Sequence, residues 1–157
     1  MTTDTIADCE VVITRILNAP RELVWEAWTN PKHIVNWWGP EGFTTTIESM
    51  DFRVGGEWRY MMIGPDGTRY PNHMLYKEIT PPSKLVSDHG DGERVWFEVS
   101  VTLQETGSGT HQATLVTLCQ LFPSKQSRDE VVEKYGAIEG GKQHFAKLEA
   151  YIKENLS

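Results

Sequence analysis

Cysteine is scarce: the 157 residues hold two, Cys9 and Cys119, and neither stands in a CxxC pair. They read as buried thiols of a protein in a reducing compartment, not as metal ligands or a redox couple. No run of about 18 apolar residues occurs, so no integral membrane segment is expected. The opening Met1-Thr2-Thr3-Asp4-Thr5 lacks the basic and apolar stretches of a signal peptide, which makes the cytoplasm the expected location. Positive charge is in deficit, with 15 Lys and Arg against 22 Asp and Glu and a net charge of −7. Such a surface repels nucleic acid and anionic lipid headgroups. GxSxG, the glycine-rich phosphate loop, the dinucleotide fingerprint and a usable Ser/His/Asp grouping are all missing. The five histidines, His33, His73, His89, His111 and His144, show no HExxH or related spacing, and zinc needs three or four convergent ligands. No metal and no cofactor are expected.

What is present is a composition able to bury one sizeable core, 39% hydrophobic and 10% aromatic, at the size of a single domain. One domain over 1–157 is expected, ordered from about 9 to 156, behind a polar tail. CEVVITRIL, from Cys9 to Leu17, is rich in β-branched residues and predicts a first strand. Asn18-Ala19-Pro20 stops it, because proline fixes φ and suits a first helical turn. Leu23, Val24, Ala27 and Trp28 then recur at helical spacing and predict a helix over Pro20 to Thr29. Asn30-Pro31 repeats the start signal, and Ile34, Val35 and Trp38 extend a second short helix up to Gly39-Pro40.

Between Phe43 and Phe122 the pattern is that of six successive antiparallel strands. Turn chemistry separates them at Val54-Gly55-Gly56, Pro65-Asp66-Gly67, Pro81-Pro82, Asp91-Gly92 and Gly107-Ser108-Gly109. In the most regular run Val95, Phe97, Val99, Val101 and Leu103 alternate with Trp96, Glu98, Ser100, Thr102 and Gln104, one face for the core and one for water. After Pro123 the period turns helical, with Ser127 and Glu130 as a capping box and Ile138, Gly141, Phe145, Leu148 and Ile152 on one stripe. From Gly141 to Asn155 this gives about 22 Å of helix. A seven-stranded sheet with one apolar face needs a cover, and only this helix is long and amphipathic enough. The fold class is α+β: a curved antiparallel sheet around a long C-terminal helix, with two short helices between strands 1 and 2.

The segments APRELVWEAWTNPKHIVNWWGPEGF, DFRVGGEWRYMMIGPDG and GAIEGGKQHFAKLEAYI, with the Pro81-Pro82 step and LFPS near Leu121, carry a resemblance over about Cys9 to Leu156. Together they resemble the family related to the C-terminal domain of the activator of heat-shock-protein-90 ATPase, within the START-like or SRPBCC superfamily. The resemblance implies the helix-grip fold and a hydrophobic cavity between sheet and long helix, used across the superfamily for lipids, sterols, polyketides and other apolar ligands. Shared fold does not fix the ligand. The co-chaperone itself carries an additional N-terminal domain with its own chaperone-contacting motif, for which 157 residues leave no room, so ATPase stimulation is not expected.

Residues for such a cavity can be named. Trp37, Trp38 and Phe43 bracket the rigid Gly39-Pro40 turn. Trp58, Tyr60 and Met62 project from one face of a strand, with Glu57 and Arg59 on the other. On the next strand Asn72, Met74 and Tyr76 share a face opposite His73 and Leu75, and Met74 and Tyr76 are taken as inward. Phe97, Val99 and Val101 form a wall and Phe145, Leu148 and Ile152 a roof. A stripe of this kind is more often filled core than an open site, and His144 is more often a surface residue than a ligand contact. His73 and His144 are the candidate polar contacts. Gly140-Gly141 within the helix costs about 1 kcal/mol per glycine relative to alanine, which points to close helix-to-sheet approach, with a kink at the cavity mouth as the rival. Asp51 and Arg53 suit a salt bridge or turn hydrogen bonds.

The first functional reading is a non-catalytic module binding a small apolar or amphipathic, lipid-like molecule, as a monomer or homodimer. The second is an interaction protein, a chaperone-associated stress protein or a dimer, using exposed aromatics such as Trp96. The third is a polyketide-cyclase-like enzyme with His73, Asp51 or Glu98 as acid or base, which requires two titratable groups meeting in the cavity.

Overall fold

The β-branched runs pair in sequence order except at one point. The computed structural model describes residues 5–107 and 112–156. Its strands are β1 (Glu10–Leu17), β2 (Thr44–Met50), β3 (Glu57–Ile63), β4 (Arg69–Thr80), β5 (Lys84–Gly90), β6 (Val95–Thr106) and β7 (Ala113–Leu121). They form one curved sheet in the order β1-β7-β6-β5-β4-β3-β2, antiparallel throughout, with β1 and β2 at the edges. Five hairpins account for the run β2 to β7, and the crossover of β1 to β7 leaves α2 and α3 to bridge opposite edges of the sheet.

The helices are α1 (Ile6–Cys9), α2 (Arg21–Thr29), α3 (Pro31–Ile34), α4 (Lys125–Tyr135) and α5 (Ala137–Asn155). The seven-stranded sheet, the paired helices after β1 and the long last helix are those expected. Several local readings are corrected. The tail turns once before β1, because the Thr5 hydroxyl accepts from Asp8 N–H while the Asp8 carboxylate accepts from Thr5 N–H. The second short helix is one turn, ending at Ile34 rather than reaching Trp38. The C-terminal helical region is two helices: Gly136 sits at φ +59°, a left-handed cap that ends α4 and begins α5. The cap of α4 is Ser124, whose hydroxyl accepts from Ser127 N–H, so Ser127 is the third helical residue and not the start of a capping box. Ile138 is 43% exposed, since α5 meets the sheet only from Gly141 onward. Val95, the first residue of β6, is 60% exposed despite its place in the alternation. Cys9 is buried but Cys119 is only partly so. The Gly107-Ser108-Gly109 turn runs outside the described residues from 108 on, as does His111.

The core lies between the inward face of the sheet and the helices. Phe145, Leu148 and Ile152 of α5 are buried, as are Val24, Ala27 and Trp28 of α2. The close approach expected at the glycine pair is real at Gly141, where a Cβ would come within 2.1 Å of Ile13 Cδ1 on β1. At Gly140 the nearest atom to a Cβ would be Pro40 Cγ at 3.8 Å, so only one of the two glycines answers to packing.

Candidate functional site

The inward rows of β3 to β6 converge on one small cavity. Trp58, Met74, Tyr76, Leu85, Ser87, Val99 and Val101 come from four adjacent strands. Register brings them together, with Trp58 opposite Met74, Tyr76 opposite Ser87, and Ser87 and Leu85 opposite Val99 and Val101. The helical side is closed by Trp28, Ile34 and Trp38, and the remaining side by Phe52 from the loop between β2 and β3. The cavity volume is about 20 Å³, against the ~10–15 Å³ that one water needs. Pockets that enclose a drug-sized ligand measure about 300–1,000 Å³. The chamber is therefore closed down around a water-sized space.

Aromatic rings do the filling. Trp38 lies 5.2 Å from Trp58, 5.6 Å from Trp37 and 6.0 Å from Trp28 between ring centroids, all edge-to-face, and Trp58 stacks on Tyr60 at 4.1 Å. The Trp37 indole N–H donates to Ala27 O at 3.0 Å. That carbonyl lies at the C-terminal end of α2, and the residue four along is Pro31, which has no N–H to offer. Trp58 is different: it is 1% exposed and its Nε1–H finds no acceptor among the described residues.

Phe52 is the one residue of the cavity wall that is only half-buried. Its ring sits edge-on to Tyr76 at 5.1 Å and to Trp25 of α2 at 6.2 Å. The backbone behind it is fixed, because Gly55 N–H donates to Tyr76 O and Tyr76 N–H to Gly56 O. Gly56 admits no side chain, since a Cβ would stand 2.0 Å from Asp51 O. The Arg53 Nε–Asp51 Oδ2 pair at 2.7 Å braces the same loop on the surface, the structural use expected of those charges.

A polar cluster adjoins the tryptophans without lining the cavity. His89 of β5 places Nε2 at 2.9 Å from Asn72 Oδ1 and 3.1 Å from Tyr60 Oη. The Asn72 amide nitrogen donates to Tyr70 O, so its oxygen faces His89 and the proton belongs on Nε2. Burial holds the His89 pKa down at about 4 and pushes the Tyr60 phenol well up. His144 of α5 is partly buried beside Trp38, centroids 4.3 Å apart, and its Nε2 accepts from Gly39 N–H at 2.8 Å. Burial lowers its pKa to about 3, with Lys147 and His89 adding to the shift. Gln143 Oε1 accepts from Glu41 N–H, and Lys147 Nζ donates to Pro40 O and Phe43 O. One helical face thus satisfies the backbone of the loop 39–43.

Of the residues named from sequence, the structure brings Trp38, Trp58, Met74, Tyr76, Val99 and Val101 to the cavity wall. Trp37, Tyr60, Phe97, Phe145, Leu148 and Ile152 are buried core around it, and Phe43 and Met62 are half-buried near the Gly39-Pro40 turn. His73 is corrected: it lies on the opposite face of β4, with Nε2 2.9 Å from Glu57 Oε1. His144 is partly buried where a surface position was expected, and its contact is a backbone amide. Glu98 lies on the outer face as well, bonded to Lys77. So His73, Asp51 and Glu98 do not meet in the cavity. Sequence reasoning missed Trp28, Ile34, Phe52, Leu85 and Ser87. The alternation Leu85, Ser87, His89, carried across from Tyr76 and Val99, would have found two of these; Phe52 stands in a loop and has no periodicity to read.

A long last helix gripped by a seven-stranded antiparallel sheet, with an apolar space on the covered face, defines the helix-grip class. The sequence pattern of the family described as activator of Hsp90 ATPase homolog 1-like protein matches residues 18–153, and the chain belongs to that family. Among solved structures it is similar to a protein of Nitrosomonas europaea, 27% identical, with a TM-score of 0.82 over 94% of this chain and 96% of that one. A protein of Arthrobacter aurescens is 25% identical, with a TM-score of 0.81 over 99% and 92%. One of Mycobacterium smegmatis, 22% identical with a TM-score of 0.82 over 97% and 96%, shares the fold. No curated protein matches the chain. Among the described residues no helix is long and apolar enough to cross a membrane.

Proposed function

We propose that this chain is a binding module that takes a small hydrophobic or amphipathic molecule, without transforming it, into the space between the sheet and the helices. The observation that carries this is the cavity among Trp58, Met74, Tyr76 and Val99, closed on one side by the half-buried Phe52. Helices and paired strands hold most of its wall. Phe52 belongs to neither, and on this reading its side chain turns toward solvent while the anchored backbone stays in place. Met74 has the torsional freedom to follow. Binding is preferred to catalysis because the titratable group on the cavity wall, Tyr76, is kept protonated by burial, and the neighbouring His89 and His144 are committed to protein partners. Native mass spectrometry of protein purified without detergent, with solvent extraction of what it carries, tests it. A one-to-one adduct released on denaturation is expected; bare protein that stays bare when offered apolar molecules of graded size would contradict it.

A further inference from the structure

We infer that the cavity recognises a neutral hydrogen-bond acceptor, such as a ketone, ester or amide oxygen, on an otherwise apolar molecule, through the indole N–H of Trp58. This rests on the binding reading above and names its chemistry.

Three buried polar atoms lack a partner among the described residues: Arg21 Nε, Trp58 Nε1 and Gln120 Oε1. Trp58 is the one that lines the cavity. An indole nitrogen only donates, so an acceptor alone can satisfy it. Leaving such a donor buried without an acceptor is costly, and a group that supplies the acceptor recovers that cost on binding. Ser87 and Tyr76 bring hydroxyls to the same wall, and burial keeps the Tyr76 phenol protonated by raising its pKa. The rest of the lining is hydrocarbon, aromatic ring and thioether.

Charge decides between acceptors. Among the described residues no Asp, Glu, Lys, Arg or His lines the cavity, so a carboxylate or ammonium there would lose its hydration with no counter-charge. A fatty-acid headgroup is excluded from this space, and a carbonyl of the same size is accepted.

The test uses three probes of one shape on the full chain: cyclohexanone, cyclohexane and cyclohexanecarboxylate, titrated while the six tryptophan indole protons are followed by NMR. Trp58→Phe assigns the Trp58 resonance, and thermal melting shows whether that variant is folded. Cyclohexanone should shift the Trp58 indole proton downfield and bind about tenfold more weakly to Trp58→Phe, the loss of one hydrogen bond. Cyclohexane should bind both forms alike, and the carboxylate at least tenfold more weakly than the ketone. An unmoved Trp58 indole proton in the unaltered protein, with cyclohexane and cyclohexanone bound equally, would overturn the acceptor assignment while leaving the binding module standing. Failure of all three probes, in the unaltered chain and in Phe52→Ala, would overturn the module and the assignment together.

Discussion

Two buried indoles, each packed against Trp38, differ in what their N–H groups find. Trp37 gives its N–H to the orphan carbonyl of Ala27, whereas the Trp58 N–H has no protein acceptor among the described residues. Replacing either ring by phenylalanine removes similar volume, so the difference between the variants isolates the hydrogen bond. Trp37→Phe should be less stable than Trp58→Phe by about 1–3 kcal/mol, because it strands a buried carbonyl while the other removes an unsatisfied donor. Urea denaturation of the pair measures it. Histidines supply the second residue-scale prediction. Folded pKa values of about 4 for His89 and about 3 for His144 lie below the ordinary value near 6.5, so the unfolded chain takes up protons first as pH falls. Their contribution is complete above about pH 6.5 and is lost progressively toward pH 4 and then pH 3. Between pH 7 and pH 5 the loss should reach up to about 2 kcal/mol for each. His144→Gln, whose amide oxygen can still accept from Gly39 N–H, should remove about half of that slope in melts run at the two pH values.

At the scale of elements, α5 does two jobs. Its inner face is core: Leu148 is 0% exposed, and Leu148→Ala should cost about 2–5 kcal/mol. Its N-terminal half holds the loop 39–43 through Gln143, His144 and Lys147. The two glycines there separate by measurement. Gly140→Ala meets only Pro40 at an ordinary distance and should stabilise the helix by about 0.5–1 kcal/mol. Gly141→Ala drives a methyl into Ile13 and should end no more stable than the unaltered chain, as thermal melting would show. Much of this level was legible in the residues. Alternation along Val95 to Leu103 marks an inward face, and turns bearing glycine or proline mark every described hairpin. What escaped were caps and breaks decided by single groups, such as Ser124 taking the cap of α4 and Gly136 dividing α4 from α5. Alternation on β4 states which residues go together and not which way they point; the inward reading of Met74 and Tyr76, which sends His73 outward, is the one the structure shows, and His73 fails only as a polar contact.

For the whole molecule, the covered face of the sheet could be assembled from the sequence, but its fullness could not. Six of the cavity-wall residues stand on lists drawn from periodicity and resemblance. Whether Trp37, Trp38 and Phe145 leave room beside them depends on how rings nest in three dimensions, which no spacing encodes. They leave a water-sized space lined by Trp58, whose indole N–H has no acceptor among the described residues, with the half-buried Phe52 at its edge. On the binding reading, this space is the contracted form of a chamber that opens at Phe52. A crystal structure of the chain grown with cyclohexanone tests it most directly. The ketone is expected between Ser87, Val99 and Trp58, its oxygen within hydrogen-bonding distance of Trp58 Nε1, and Phe52 displaced from its edge-on contact with Tyr76. A cavity unchanged in size, with that contact still at 5.1 Å and the ketone elsewhere or absent, would contradict it.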